Sequence, residues 1–94
     1  SREFTGMPIE VQANLSSAQI AETIHETILQ AIPGAEIEVR PGGVGHFEIR
    51  VESDAFEGLG RVKQQQLVYG AISELLSGSN PPVHAIDKLD CVVP

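Results

Sequence analysis

The fold is decided by the stretch AEIEVRPGGVGHFEIRVE, which spans residues 35–52. Apolar and charged residues alternate over residues 35–40 and again over residues 47–52, and the glycine-rich residues 41–45 lie between them. Successive side chains of a β-strand point to opposite faces of a sheet, so each segment predicts a strand with one apolar and one charged face. Together the segments predict a β-hairpin whose charged face lies in water. Helices are therefore needed only on its apolar side.

A helix is predicted before the hairpin. Residues 14–17 offer side chains that can cap a helix start, and Pro33-Gly34 ends the helical pattern, because proline cannot continue a helix and glycine accepts a left-handed turn. Between these signals the apolar residues recur at helical spacing, namely Ile20, Ala21, Ile24, Ile28, Ala31 and Ile32. We therefore expect one amphipathic helix over this part of the chain.

A second helix and a last strand are predicted after the hairpin. Residues 53–60, which include Phe56 and two glycines, indicate a loop, and residues 61–76 indicate a helix. The apolar face of this helix is predicted to be Leu67, Val68, Ala71, Ile72, Leu75 and Leu76. Residues 77–82 indicate another loop. A strand is predicted from Val83 onward, with an alternation that is lost after Ile86.

The predicted order α-β-β-α-β indicates an α+β domain, in which a three-stranded sheet has its helices on one face. The chain has 94 residues, which is the size of one domain, and we assign that domain to residues 15–94. Residues 1–14 are expected to lie outside it. Within them, residues 1–6 precede Met7 and have no pattern, so we expect a cloning remnant followed by a disordered amino-terminal segment.

The composition indicates a small acidic domain. Apolar residues make up 41% of the chain, and 13 Asp and Glu against 6 Lys and Arg give a formal net charge of −7. Phosphate backbones repel such a molecule, which disfavours general nucleic-acid binding. The single cysteine, Cys91, excludes an internal disulfide and suits a reducing compartment. No apolar run approaches the ~18 residues of a membrane-spanning helix, so we expect a soluble protein.

The sequence does not favour an enzyme, since a phosphate-binding loop, HExxH, CxxC and a nucleophile motif are all missing. The candidate metal ligands are the three histidines and Cys91. We expect His25 to be a partly buried structural residue and Cys91 a small hydrophobe, while His46 and His84, taken singly, are typical of a protein surface. No pair has zinc-finger spacing. Two imidazoles can still replace two thiolates on one iron of an iron–sulfur cluster, which suggests a site shared with another molecule.

Four motifs in the second half of the chain resemble the BolA family. They are residues 46–53, 56–58, 67–69 and 83–86, in the order and at the spacing of that family. With the upstream helix and hairpin, the resemblance covers about residues 16–89. Residues 60–66 look most like the shorter bacterial and organellar BolA-like subgroup. The resemblance implies a fold similar to the class II KH fold.

The resemblance also implies a function. Members of the family pair with monothiol glutaredoxins and help to assemble, deliver or sense [2Fe-2S] clusters, which is an adaptor role rather than a catalytic one. In the mixed complex the glutaredoxin and glutathione sulfurs hold one iron. The BolA-type partner supplies the histidine of its Val-His-Ala motif, here His84, and a second His or Cys from the hairpin loop. Residues 40–45 contain neither, so His46 is the candidate second ligand, and no cluster is expected in the isolated chain.

Other contacts of such an adaptor are implied less directly. Some family members form cluster-free complexes through the face around the second helix and the last strand, where Lys63, Gln64, Gln65 and Lys88 are the plausible contacts here. Iron–sulfur client or carrier proteins are further implied partners. A domain with one reduced cysteine suits the bacterial cytoplasm, the mitochondrion or the plastid.

Two other functions stay open from the sequence. One is a KH-like nucleic-acid-binding transcriptional regulator, because the fold resembles KH domains and some BolA proteins are described as regulators. Against it, Gly58-Leu59-Gly60 is not the Gly-x-x-Gly clamp of a KH domain, and the nearby cations are only Arg61 and Lys63. The other is a weak homodimer formed by the exposed edge of the hairpin, in place of a monomer.

Overall fold

The computed structural model describes residues 15–94, and the predictions for residues 1–14 lie outside this range. The predicted order α-β-β-α-β is confirmed, with two short elements added. No helix in the described range is long and apolar enough to cross a membrane. The elements are α1 (Ser17–Ala31), β1 (Glu36–Pro41), β2 (His46–Glu52), a 3₁₀ turn (Asp54–Phe56), α2 (Arg61–Ala71), α3 (Ser73–Leu76) and β3 (Ala85–Val92).

The sheet has the strand order β1-β2-β3, so β2 is its central strand. β1 and β2 pair antiparallel, as the predicted hairpin requires, with Glu36 opposite Glu52 and Pro41 opposite Phe47. β3 pairs with β2 in parallel, and the chain reaches it through the crossover that contains α2 and α3. In a parallel pair the two strands begin at the same end of the sheet. The starts of β2 and β3 are therefore neighbours, and the candidate site lies at that end of the sheet.

α1 begins at a capping box, which explains its sharp start. The hydroxyl of Ser16 accepts a hydrogen bond from the backbone N–H of Gln19 at 3.1 Å, and the side-chain oxygen of Gln19 accepts one from the N–H of Ser16 at 2.9 Å. The helix ends before Pro33-Gly34, and Gly34 has a positive φ of 84°. The first helix is thus confirmed at both ends.

The core lies between one face of the sheet and the helices, as expected. β2 contributes Phe47, Ile49 and Val51, which are at most 2% exposed. The alternating residues of the same strand face away from the helices. The buried apolar residues are Ala21, Ile24, Ile28, Ile32, Phe47, Ile49, Val51, Phe56, Val68, Ile72 and Val83.

The second helix differs from its prediction. The predicted helix over residues 61–76 is interrupted at Ile72, whose φ of −107° and ψ of 15° are not helical, and α3 follows as a separate turn. Val68 and Ile72 are fully buried as predicted, but Leu67 is 43% exposed. At ~100° of rotation per residue, Leu67 lies about 140° from Ile72 around the helix, outside the narrow stripe that reaches the core.

The loss of alternation in β3 comes from a β-bulge and does not mark the end of the strand. Phe47 is opposite Ile86, but the next residue of β2, Glu48, is opposite Lys88, so Asp87 is an extra residue in β3. After the bulge Leu89 and Cys91 pack against the core. The strand then continues to Val92.

Candidate metal-ligand site

Both histidines proposed as ligands lie at the end of the sheet where β2 and β3 begin. His46 is the first residue of β2 and is paired with Ala85, the first residue of β3. His84 directly precedes Ala85. We call this region, formed by Gly45, His46, His84 and Asp87, the histidine end of the sheet.

The backbone of Gly45 fixes the position of His84. Its carbonyl accepts hydrogen bonds from the N–H groups of His84 at 2.8 Å and of Ala85 at 3.1 Å. Gly45 has a positive φ of 76°, and a Cβ atom built on it would lie 2.5 Å from Nδ1 of His84. The imidazole therefore lies directly against the Cα atom of Gly45, where only glycine leaves room for it.

The His84 side chain is open to a ligand. The residue is exposed, and no group within residues 15–94 makes a hydrogen bond to its ring nitrogens. A neutral imidazole has one nitrogen with a lone pair. The ring of His84 can therefore offer that nitrogen to a metal without first breaking an internal hydrogen bond.

His84 also forms part of the wall of a groove of about 710 Å³. The groove lies between the start of α1, the hairpin turn, α3 and the loop before β3. Within residues 15–94, none of its lining residues is an Asp, Glu, Lys or Arg, although the whole chain has a net charge of −7. Its apolar lining consists of Leu15, Ile20, Val44, Leu75, Pro81 and Pro82.

His46 is placed differently from His84. Its neighbour Phe47 is buried in the core, so His46 projects from the charged face of the sheet. There its Nδ1 atom lies 3.0 Å from Oδ1 of Asp87, and both side chains are about half exposed. The structure thus brings the two histidines to the same end of the sheet but directs them to different surroundings. Within residues 15–94, no cluster of three or more His, Cys, Asp or Glu side chains could hold a metal ion.

Cys91 and His25 lie away from the histidine end. Cys91 is paired with Val51 near the far end of β2 and packs against the core, as the sequence predicts for a small hydrophobe. Burial raises the pKa of the Cys91 thiol, and the carboxylate of Asp90 raises it further. Since the thiolate is the form that binds metals, this cysteine is a poor ligand at neutral pH. His25 is half-buried on α1, as predicted.

The residues predicted to contact a partner do not form one surface. Lys63, Gln64 and Gln65 lie on α2, whereas Lys88 lies on the charged face of the sheet, opposite Glu48 and away from the helices. The bulge at Asp87 explains the difference, because without it Lys88 would follow Ile86 onto the helix side.

The four predicted contact residues also differ in their availability. Gln64 is already engaged, since its side-chain amide donates to the carbonyls of Phe56 at 3.2 Å and Leu59 at 3.1 Å. Nζ of Lys88 lies 3.7 Å from a carboxylate oxygen of Asp90. A partner contact at each of the four residues stays a prediction.

Sequence reasoning missed Gly45 and Asp87. Gly45 was one of several glycines in the turn, and nothing local showed that His84, far along the chain, would lie against it. Asp87 did leave a signal, namely the loss of alternation after Ile86. A bulge would have explained that loss and would have placed an acidic side chain on the charged face beside the start of β2.

This fold and this site define a class of protein: a small α+β domain with a three-stranded mixed sheet that presents histidines where its two parallel strands begin. The family model described as "BolA: BolA-like protein" matches residues 11–91. The chain therefore belongs to the BolA-like protein family.

Individual relatives agree with this assignment. BolA-like protein 1 of Homo sapiens is 36% identical over 70 residues, which cover 74% of this chain and 44% of the human protein. The acid stress protein IbaG of Escherichia coli K12 is 32% identical over 63 residues, 67% of this chain and 71% of IbaG. The solved BolA domain of SufE1 from Arabidopsis thaliana has a TM-score of 0.68 at 27% identity, covering 85% of this chain and 95% of that domain. The chain spans a third to less than half of the length of three mammalian BolA-like protein 1 sequences that it matches.

Proposed function

We propose that this protein is a non-enzymatic adaptor in iron–sulfur cluster assembly and trafficking. It pairs with a monothiol glutaredoxin and contributes the imidazole of His84 to a [2Fe-2S] cluster shared with the glutaredoxin and glutathione, with His46 as the candidate second ligand. The observation that carries this proposal is the exposed ring of His84, held against Gly45 and without an internal hydrogen bond among the described residues.

The donor atoms suit this cargo. Neutral imidazoles replace two cysteine thiolates on one iron in the His-ligated type of [2Fe-2S] cluster. His84 offers a lone pair at the surface, where a cluster held mainly by a second molecule can reach it. The half-exposed His46 lies at the same end of the sheet, on the charged face, so a cluster bound to both histidines would lie across the starts of β2 and β3.

The charge distribution supports the same docking site. A cluster with thiolate ligands is anionic, and so is this chain, so the two repel each other at most of its surface. Among the residues that the structure describes, those that line the groove beside His84 are all uncharged. A partner that carries the cluster meets the least electrostatic opposition there, which favours approach to His84 from the groove side.

Family membership supports the proposed partners, and these remain proposals for this chain. The resemblance to BolA proteins suggests a monothiol glutaredoxin as the first partner and iron–sulfur client or carrier proteins as further ones. The bacterial cytoplasm, the mitochondrion and the plastid are the compartments in which we expect such a complex.

The cations of the sheet give no support to the nucleic-acid alternative. On the charged face of the sheet each cationic side chain lies near an acid: Arg40 is 3.7 Å from Glu38, Arg50 is 3.2 Å from Glu52, and Lys88 is 3.7 Å from Asp90. Phosphate binding needs cations that are not already neutralised by neighbours. We therefore retain only the adaptor as the proposed function.

The test is anaerobic co-purification of the full chain with a monothiol glutaredoxin and glutathione, followed by visible absorption and circular dichroism. We expect the wild-type complex to show the bands of a [2Fe-2S] cluster. The His84→Ala variant should change these bands and shorten the lifetime of the cluster, because one iron loses a ligand. His25→Ala, which removes a histidine from α1, is the matched control and should leave the spectrum unchanged. An identical spectrum and cluster lifetime for His84→Ala and wild type would reject His84 as a ligand.

A further inference from the structure

The β-bulge in β3 puts an acidic side chain beside His46. Asp87 is the extra residue of the bulge, and the pairing of Glu48 with Lys88 resumes directly after it. Oδ1 of Asp87 lies 3.0 Å from Nδ1 of His46, although the two residues are 41 positions apart in the sequence. The bulge therefore makes a specific long-range contact at the histidine end of the sheet.

This contact determines which nitrogen of His46 holds its hydrogen. An ionised carboxylate has no hydrogen to donate, so the hydrogen bond at 3.0 Å requires an N–H at Nδ1. In a neutral imidazole the other nitrogen, Nε2, then has the lone pair. His46 is thus set to coordinate through Nε2.

We propose that Asp87 is a positioning residue, which holds His46 in the Nδ1–H tautomer and directs Nε2 outward as the ligand nitrogen. The ligand part of this inference rests on the proposed function. Metal-binding histidines commonly donate their second ring N–H to a carboxylate, which fixes the ring and makes the ligand nitrogen more basic. His84 has no carboxylate partner among the described residues, so the two candidate ligands differ in how firmly their rings are held.

Two other acids of this face have cationic neighbours. Asp90 lies near Lys88, with 3.7 Å between the charged atoms, and Glu48 is paired in register with Lys88 on one side and Arg40 on the other. Among the described residues, Asp87 is the acid that contacts the ring of His46. Asp90 also provides a matched control, since Asp90→Ala removes the same charge from the same strand and leaves the contact with His46 in place.

The first test is nitrogen-15 NMR of the histidine rings in the isolated full chain, at an alkaline pH where the imidazoles are neutral. We expect the Nδ1–H tautomer of His46 to predominate in the wild type. In Asp87→Ala the ratio of the Nδ1–H to the Nε2–H tautomer should fall about tenfold, the effect expected when a neutral ring loses a hydrogen bond to a charged carboxylate. Asp90→Ala should keep the wild-type ratio. A predominant Nε2–H tautomer in the wild type, or an unchanged ratio in Asp87→Ala, would overturn the proposal.

The second test is the lifetime of the cluster in the complex co-purified with a monothiol glutaredoxin. We expect Asp87→Ala to shorten it about tenfold, as losses of a carboxylate behind a ligating histidine do, and Asp90→Ala to leave it unchanged. An unchanged lifetime in Asp87→Ala would refute the role toward the ligand. If the tautomer shifts as expected but the wild-type chain forms no cluster complex, the carboxylate's hold on His46 is upheld and the proposed function fails.

Discussion

Gly45 and His84 depend on each other although 38 residues of chain lie between them (residues 46–83). The glycine carbonyl accepts the N–H groups of His84 and Ala85, and its Cα supports the imidazole ring. The position and exposure of the His84 ring therefore depend on the hairpin turn, which is distant in the sequence. A side chain at position 45 would displace the ring.

A Gly45→Ala variant tests this dependence. We expect the free energy of unfolding to fall by ~1–3 kcal/mol, because alanine is strained at a φ of 76° and its Cβ would clash with the His84 ring. Urea unfolding measures the loss, and the NMR shifts of the His84 ring report its displacement. The control is Gly43→Ala, since a Cβ on Gly43 meets nothing within 4 Å. Equal behaviour of the two variants would show that the turn does not hold His84.

At the scale of secondary structure, Gln64 anchors the start of α2. The N-cap of this helix, Gly60, has no side chain with which to cap it. The amide of Gln64, one turn into the helix, instead donates to the carbonyls of Phe56 and Leu59. This joins the helix to the 3₁₀ turn, whose Phe56 is fully buried.

We predict that Gln64→Ala lowers the free energy of unfolding by about 1 kcal/mol relative to Gln66→Ala, because it removes a half-buried donor from two carbonyls. Gln66 is exposed on the same helix, so the control gives the same change in helix propensity. Chemical denaturation of both variants measures the difference. If Gln64→Ala is as stable as Gln66→Ala, the amide does not anchor the helix.

Periodic patterns made most of this fold predictable. The alternation in β1 and β2 and the helical spacing in α1 each repeat over several residues, so the hairpin, the first helix and the sheet's apolar face followed from the sequence. The contact of His46 with Asp87 did not follow from the sequence, because a one-residue bulge interrupts the apolar-polar alternation and so resembles the end of a strand. The break at Ile72 was also not predictable, because Ile72 is fully buried, just as an uninterrupted helix would place it.

At the scale of the whole molecule, the charged strand residues lie on a different surface from the groove. The chain has a net charge of −7, and its charged strand residues lie on the face of the sheet away from the helices. In the described part of the chain, the residues that line the groove beside His84 are uncharged. The histidine end of the sheet therefore joins a charged surface, which holds His46, to an uncharged one, which holds His84.

The most direct test of the central claim is pulsed EPR on the reduced cluster complex, in which only this chain contains nitrogen-15 histidine. One-electron reduction makes a [2Fe-2S] cluster paramagnetic, so a histidine nitrogen bound to iron gives a hyperfine coupling. We predict a nitrogen-15 coupling in the wild-type complex that is lost or reduced in His84→Ala and retained in His25→Ala. A cluster complex with no nitrogen-15 coupling, or with the same coupling in His84→Ala, would contradict the assignment of His84 as a ligand.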